Sequence, residues 1–215
     1  MLIWRRLAIL GFLTAFGLGA MVATGAAATE GAGPTTAKAE ELVRSLGFEA
    51  INVLSNKSLT STDREKEFRR LFVKGFDVDR IGQFTLGRFW RMATDAEKTD
   101  YRELFRDYVV RTYLIRFNLY SGETLKISKS RPVKEGEMIV ESVIERPSGK
   151  PPVRVDWIVV NNGTEDKIID VVVQGVSMSI THRQEFAAVI QNGGGQVAAL
   201  LSALRQRTQS ADQGG

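Results

Sequence analysis

The chain has 215 residues, 43% of them hydrophobic and 25% charged, a composition typical of one globular domain with a substantial core. It has no cysteine, which excludes disulfides, thiolate catalysis and cysteine-based zinc sites, and its one histidine, His182, argues against a histidine-based metal centre. The formal charge of +4 falls on a mixed-sign sequence, which does not indicate a nucleic-acid-binding protein.

Residues 1–28 are predicted to be a cleavable secretory signal peptide. Arg5 and Arg6 form its basic start, and the alanines at 26–28 are the small residues that a signal peptidase needs. The apolar stretch at 7–23 contains three glycines and is short for a transmembrane helix, with a retained membrane anchor as the alternative. Removing the two arginines with this leader lowers the formal charge from +4 to +2.

A small polar segment, TEGAGPTT at residues 29–36, predicts a flexible linker after the leader. It precedes a single predicted domain over residues 37–208, which is followed by a disordered tail at 209–215. The domain starts with AKAEELVRSLGFEAINVLS, in which apolar residues recur at helical spacing. The first element is therefore expected to be an amphipathic helix.

Two further helices are marked by their start signals. Thr62 precedes Glu65 by three residues, a pattern typical of a capping box, and Gly75 is expected to end that helix. Thr94 and Glu97 form the same pattern before a long run of apolar residues at helical spacing. This run predicts an amphipathic helix of about six turns.

After Gly122 the apolar spacing changes to alternation, which predicts β-strands. Four runs are expected: TLKISKSRPV, EMIVESVIERP, VRVDWIVVN and KIIDVVVQGVSM. Turn residues separate them at spacings that favour an antiparallel meander. Helices then return, with a cap predicted at Thr181 and Gln184 and a stop at the glycines 193–195. This order predicts an α+β fold, one curved antiparallel sheet of about four strands covered by N-terminal and C-terminal helices.

The stretch VQGVSMSITHRQEF, residues 173–186, resembles the Gly-x-Ser-x-Gly turn of serine hydrolases. Ser179 replaces the last glycine of that motif, and the β pattern continues past Ser177, which places Ser177 on a strand. His182 follows five residues later and is expected to be an exposed histidine in the first turn of a helix. A catalytic base normally arrives from a distant loop, so no catalytic residue is predicted here.

Acidic pairs are the other candidate sites. Asp77 and Asp79 stand at a predicted helix start, where carboxylates serve capping and the helix dipole. Asp156 and Asp170 lie on neighbouring β runs and could act as an acid pair in a small-molecule hydrolase or isomerase. Arg154 is close enough to neutralise such a pair, which favours a structural role.

Two blocks of the sequence resemble the MlaC family of periplasmic phospholipid-binding proteins, also called toluene-tolerance proteins. The first block, FDVDRIGQFTLGRFWRMATDAEKTDYRELFRDYVVRTYLIRF, matches that family's pattern at Asp77, Leu86-Gly87, Trp90, Ala93-Thr94 and Tyr113. The second, IIDVVVQGVSMSITHRQEF, matches at Asp170, Gly175-Val176-Ser177, Arg183 and Phe186. Together the blocks extend the resemblance over roughly residues 37–208. A hopanoid-associated branch, the HpnM-like proteins, shares these motifs, and Asp166 stands where the family often has tryptophan.

The resemblance implies an NTF2-like fold whose sheet and helices enclose an apolar cavity for lipid tails. It implies no cofactor and no metal, with bound phospholipid as cargo. Its implied partners are an outer-membrane lipoprotein–porin complex and an inner-membrane ABC transporter complex with an MlaD-type component. The implied location is the periplasm, and lipid transport is the implied function.

The lining of that cavity is a hypothesis of this sequence analysis. It combines apolar residues from the helical blocks with apolar residues on the predicted strands. The residues expected to line the cavity are Phe84, Leu86, Phe89, Trp90, Leu104, Tyr108, Val155, Trp157, Val171, Val173 and Met178.

Overall fold

The computed structural model describes residues 33–117, 120–147 and 149–212. In these ranges the chain forms six α-helices, one 3₁₀ segment and five strands. Four helices precede the strands: α1 (Thr36–Ser55), α2 (Ser61–Gly75), α3 (Val78–Leu86) and α4 (Asp95–Phe117). The 3₁₀ segment, Gly87–Arg91, lies between α3 and α4, and the last two helices are α5 (Met178–Asn192) and α6 (Val197–Asp212).

The strands form one antiparallel sheet in chain order: β1 (Thr124–Lys134), β2 (Glu137–Glu145), β3 (Val153–Asn161), β4 (Asp166–Val173) and β5 (Val176–Ser177). Register shifts interrupt the pairing of β1 with β2 and of β3 with β4. Such bulges bend a strand and increase its twist, which curves the sheet. The predicted α+β fold, a curved antiparallel sheet with helices, is confirmed.

The fifth strand was not expected from the sequence. Gln174 and Gly175 both have positive φ, 51° and 83°, which gives the tight turn that joins two antiparallel strands. The chain folds back there, and Val172 pairs with Ser177. The prediction of one β run through Met178 is therefore wrong, because a glutamine with positive φ leaves no signal in the sequence.

The helix caps agree with the sequence at one position and differ at another. Thr94 and Glu97 form the predicted capping box, since the Glu97 carboxylate accepts from the Thr94 N–H and the Thr94 hydroxyl accepts from the Glu97 N–H. In α2 the cap is Thr60, whose hydroxyl accepts from the Asp63 N–H at 3.1 Å. Thr62 lies within the first turn, so that cap was predicted two residues too late.

The cap of α5 also lies earlier than predicted. Ser177 caps this helix by accepting a hydrogen bond from the Ile180 N–H at 3.1 Å. Thr181 lies inside the first turn, where its hydroxyl donates to the Ser177 carbonyl. The predicted cap at Thr181 and Gln184 is therefore wrong, because the unexpected hairpin ends the β run early.

The outer bounds of the helices differ from the predicted linker and tail. Helix α1 begins at Thr36 with Thr35 as its cap, so the end of the predicted linker at 29–36 is ordered helix and cap. Helix α6 continues to Asp212, within the predicted disordered tail at 209–215. The helix continues because this part of the tail contains neither glycine nor proline.

The predicted signal peptide at 1–28 lies outside the described residues. Among the helices that are described, none combines the length and the apolar character that crossing a membrane requires.

The hydrophobic core consists of two clusters. The helical cluster lies mainly among α3, α4, α5 and α6 and contains the fully buried Tyr101, Phe105 and Phe186. The sheet cluster lies between α1, α2 and the sheet and contains the fully buried Val140 and Ile168. Helix α2 contributes to both clusters, so it connects two apolar regions that are otherwise separate.

The shifted cap of α2 can be tested by a pair of threonine substitutions. Thr60→Ala should lower the free energy of unfolding by about 1 kcal/mol, because it removes an N-cap acceptor. Thr62→Ala is the matched control and should change it by less than about 0.5 kcal/mol, because Thr62 is an exposed surface residue. Urea unfolding followed by circular dichroism measures both, and equal losses would contradict the cap at Thr60.

Candidate functional site

An apolar cavity of about 470 Å³ adjoins both core clusters. Its wall includes Phe72, Ile81 and Phe105 of the helical cluster and Leu46 and Leu71 of the sheet cluster. The other wall residues are Gly47, Ala50, Ile51, Leu54, Phe68, Phe76, Val109, Tyr113, Tyr120, Glu123, Thr124, Leu125, Ile144, Val155, Trp157, Asp170, Val171, Val173, Met178, Ser179 and His182.

Only one half of the inner face of the sheet is packed solid. In that half the side chains are 5% exposed or less: Met138, Val140, Val159 and Ile168. The other half lines the cavity with Leu125, Ile144, Val155 and Val173. Because Leu125 pairs with Ile144 and Val155 with Val173, these four lie at the same end of the sheet. The cavity therefore occupies the end where β1 and β3 begin and β2 and β4 end.

The opposite end of the sheet is fastened to the junction of α2 and α3. Phe76 forms a parallel β-bridge with Ile168, and the Asp77 N–H donates to the Ile168 carbonyl at 3.0 Å. The buried Lys167 ammonium donates to the last-turn Lys74 carbonyl of α2 at 2.6 Å. These contacts close the packing at one end of the sheet and leave the cavity at the other.

Many wall residues are apolar yet only half-buried. Ile51, Leu54, Phe68, Ile144 and Val173 all retain accessible surface, although they belong to the inner faces of their elements. A packed core fills such space with neighbouring side chains. These residues instead border unfilled apolar volume, which is how a binding cavity differs from a core.

Five of the sequence-predicted site residues lie on the cavity wall: Val155, Trp157, Val171, Val173 and Met178. Four of them come from the sheet, where side chains alternate between the two faces. Trp157 pairs with Val171 and Val155 with Val173, so the register brings these four together. Trp157 also donates its indole N–H to the Ser142 hydroxyl at 2.9 Å, which fixes the ring.

The other six predicted residues lie off the wall: Phe84, Leu86, Phe89, Trp90, Leu104 and Tyr108. Leu86, Phe89 and Tyr108 are buried within the helical cluster, and Trp90 and Leu104 pack against it. Phe84 is 40% exposed on the surface of α3. The prediction differs from the observed wall at these six positions because helical periodicity identifies an apolar face but not which layer that face contacts.

The helical part of the wall comes mainly from α1, α2 and α4, with smaller contributions from α3 (Ile81) and from the start of α5 (Met178, Ser179 and His182). In α1, Leu46, Gly47, Ala50, Ile51 and Leu54 contribute to it. The sequence does carry a signal for this part of the wall: Gly47 and Ala50 are small residues on an apolar face of α1 that otherwise has bulky side chains. A Cβ at position 47 would lie 2.4 Å from a methyl group of Leu125, so a larger residue there would require the Leu125 side chain to shift.

Asp170 holds the start of α5 against the cavity. Its carboxylate accepts from the Val171 N–H at 2.8 Å and from the Ser179 N–H at 3.0 Å. It also accepts a hydrogen bond from the Ser177 hydroxyl. A carboxylate at a helix N-terminus also interacts favourably with the helix dipole, in addition to these hydrogen bonds. The residue therefore joins β4, the β4–β5 hairpin and α5 into one rigid corner.

Ser177 and His182 do not form a catalytic pair. Ser177 lies at the strand-to-helix turn, not within a longer strand as expected, but its hydroxyl donates to Asp170 and accepts from Ile180. His182 is on the cavity wall with a side chain only 12% exposed, which corrects the prediction of an exposed histidine. Its ring contacts Tyr108 and Phe186 at centroid distances of 5.6 and 5.8 Å.

Asp156 and Asp170 serve separate structural roles. The 5% exposed Asp156 accepts two hydrogen bonds from Arg154, at 2.8 and 3.1 Å, and this bonding raises the pKa of Arg154. Asp156 alternates with the wall residues of β3, so it projects from the other face of the sheet. Within the described residues, no group of three or more His, Asp and Glu side chains could hold a metal ion.

The polar part of the wall lies near the start of β1. Tyr120, Glu123 and Thr124 line the cavity there. The Ser121 N–H donates to the Glu123 carboxylate at 2.7 Å and holds the pKa of that carboxyl below its usual value. An ionised carboxylate keeps water close to it. This end is therefore suited to the polar part of an amphipathic ligand, and the remaining wall to its apolar part.

The family profile described as "MlaC protein" matches residues 46–206. That match spans most of the chain and includes nearly all of the elements that form the cavity. The chain belongs to the MlaC family.

A solved structure supports the same fold. It is described as a phospholipid-binding protein from Ralstonia solanacearum in complex with a phospholipid. The TM-score is 0.71 at 22% sequence identity, with 83% of this chain and 99% of that chain covered. This MlaC-family chain therefore shares its architecture with that phospholipid-binding protein.

Removing the negative charge of Asp170 should weaken the corner at the start of α5. Asp170→Asn should lower the free energy of unfolding by about 1–3 kcal/mol, since hydrogen bonds to a charged acceptor are lost. Asp79→Asn is the control, because Asp79 stands in the first turn of α3 and is exposed. Thermal and urea unfolding would measure the difference, and equal stability of the two variants would refute this role for Asp170.

Proposed function

We propose that this protein is a periplasmic lipid carrier, which holds phospholipid acyl chains in the cavity and carries the lipid between membranes. The observation that carries the proposal is an unfilled cavity of about 470 Å³ with a mainly apolar wall. Its volume falls within the roughly 300–1,000 Å³ of small-molecule sites. Membership of the MlaC family supports the same function.

The energetics explain why an acyl chain needs such a cavity. Exposing a methylene to water costs about 0.8 kcal/mol, so two chains of about 16 carbons would cost roughly 25 kcal/mol. A carrier has to remove most of this cost, but it need not bind lipid more tightly than a bilayer, which is also apolar. Loading and release can then be shifted by the membranes or proteins that the carrier meets.

The headgroup is expected to stay at the polar end of the cavity. A phosphate buried without a partner carries a prohibitive desolvation cost. Glu123, Thr124 and Tyr120 form the polar part of the wall, which suits the neutral or cationic groups of a headgroup, whereas the ionised Glu123 would repel a phosphate placed directly beside it. The acyl chains would then extend toward Phe72, Phe105 and the β3–β4 surface.

The proposed route connects an outer-membrane lipoprotein–porin complex with an inner-membrane ABC transporter complex that has an MlaD-type component. The predicted leader at residues 1–28 supports export to the periplasm. A cavity without a catalytic arrangement among the described residues supports carriage rather than reaction, because Ser177, Asp156 and Asp170 are all held in structural hydrogen bonds.

Filling the cavity should block lipid binding without unfolding the protein. Val171→Trp places an indole on the wall opposite Trp157, and the purified variant should lose most of its co-purified phospholipid. Lipid extraction followed by mass spectrometry measures the lipid per protein, and circular dichroism verifies the fold.

The matched control is Val172→Trp, one residue along β4 and facing the other side of the sheet. It should keep stoichiometric lipid. Unchanged lipid content in the Val171 variant would show that the cargo lies elsewhere. A wild-type protein that carries no lipid and turns over a small substrate would favour an enzyme instead.

A further inference from the structure

A group of exposed apolar side chains stands beside the cavity and has no role in its wall. Val176 on β5, Ile180 on α5 and Phe84 on α3 are 53%, 49% and 40% exposed. Arg183 lies among them, with its guanidinium 4.9 Å from the Phe84 ring centre. These four residues are called the rim patch. Large apolar side chains that gather on a surface mark an interaction site more often than isolated ones do.

The rim patch borders the cavity directly. The members from β5 and α5 are close to wall residues in the sheet pairing or in the sequence. Val176 pairs with the wall residue Val173. Ile180 comes two residues after Met178, and Arg183 comes directly after His182. Val173, Met178 and His182 are half-buried, whereas Val176, Ile180 and Arg183 are exposed. The wall of the cavity therefore reaches the protein surface at the rim patch.

The position of Arg183 is determined by its neighbours. It packs over Phe84 and against Gly87, where a Cβ would lie 3.0 Å from its Nε atom. Gly87 also has a φ of +59°, so glycine is favoured there for two reasons. Arg88, the next residue, stacks on the Phe89 ring at 4.9 Å. Arg88 therefore directly follows the glycine against which Arg183 packs.

Arg88 and Arg183 belong to the minority of described cations, among them also Arg64 and Arg91, that have no carboxylate within 4.0 Å. Arg69, Arg70 and Lys74 each contact a carboxylate within 4.0 Å. Arg88 and Arg183 form no such ion pair with any described residue. Cations left without an internal carboxylate partner are available to an anionic surface outside the protein.

We propose that the rim patch docks the protein on the surface of an anionic lipid bilayer during lipid exchange, an inference that rests on the proposed carrier function. Val176, Ile180 and Phe84 would enter the interfacial region of the bilayer, and Arg183 and Arg88 would contact lipid phosphates. When the bilayer contacts the edge of the cavity, an acyl chain that moves between the bilayer and the cavity is exposed to water over a shorter distance. This favours a lipid surface over an acidic protein as the partner.

Vesicle binding tests the proposal. Protein purified after export, without the predicted leader at residues 1–28, should co-sediment with vesicles of phosphatidylglycerol and phosphatidylcholine more than with pure phosphatidylcholine, and added salt should weaken this binding. Arg183→Gln should lower the vesicle affinity about fivefold. The double variant Val176→Asp, Ile180→Asp should lower it by at least about tenfold, because both changes put a charge into the interfacial layer.

Val133→Asp is the matched control, because Val133 is 51% exposed and lies at the opposite end of the sheet, near the β1–β2 turn. It should bind vesicles as the wild type does. The double variant should also transfer a fluorescent phospholipid between vesicles more slowly while keeping its co-purified lipid. The retained lipid distinguishes the two proposals. A double variant that keeps its lipid but no longer binds vesicles would concern docking alone, whereas a wild-type protein without lipid would contradict the carrier function.

Three results would overturn the docking proposal. The wild type could show no preference for anionic vesicles, or the double variant could bind and transfer as the wild type does. The Val133 control could also lose affinity to the same extent. Normal vesicle binding by the double variant would leave the rim patch as a surface for a protein partner.

Discussion

The fastening of α2 and α3 to one end of the sheet is the constraint on which the cavity depends. Lys167 and Ile168 at the start of β4 bind the carbonyl of Lys74 and the backbone of Phe76 and Asp77. A buried ammonium that satisfies helix-terminal carbonyls removes a desolvation cost on both sides. With that end closed, the helices cannot move onto the remaining half of the sheet without breaking these contacts, and the space beside Val155 and Val173 stays open.

An unfilled apolar interior costs stability, because the side chains at its wall lose dispersion contacts that a packed core would supply. Tight packing in the regions on either side of the cavity offsets this cost. The solid half of the sheet packs Val140, Val159 and Ile168 without exposure, and the helical cluster packs Tyr101 and Phe105 equally tightly. A ligand that fills the cavity would restore the missing contacts and stabilise the folded state, by an amount that rises with the logarithm of its free concentration relative to its Kd.

The sheet was predictable from the sequence to a degree that the helical layer was not. Alternation along VRVDW determines which strand residues share a face, and Val155 and Trp157, which it groups together, both lie on the cavity wall. An apolar helical stripe has several possible neighbours, and Leu86, Phe89 and Tyr108 face other helices. The positive φ of Gln174 has no counterpart in the sequence pattern, so the turn there could not be predicted. As a result, α5 starts earlier than predicted, at Met178.

The positions at which the two blocks match the MlaC motifs contribute mainly to the frame of the protein, and little to the wall of its cavity. Asp77 and Thr94 cap helices, and Gly87 allows Arg183 to cross from the second block onto the first. Asp170 and Ser177 form the corner at the start of α5. Of the matched motif positions, Tyr113 and Asp170 also touch the cavity. Motifs of this kind therefore identify a scaffold that can enclose a cavity. Residues at other positions, including Leu46, Phe72, Leu125 and Ile144, determine the volume and shape of the cavity.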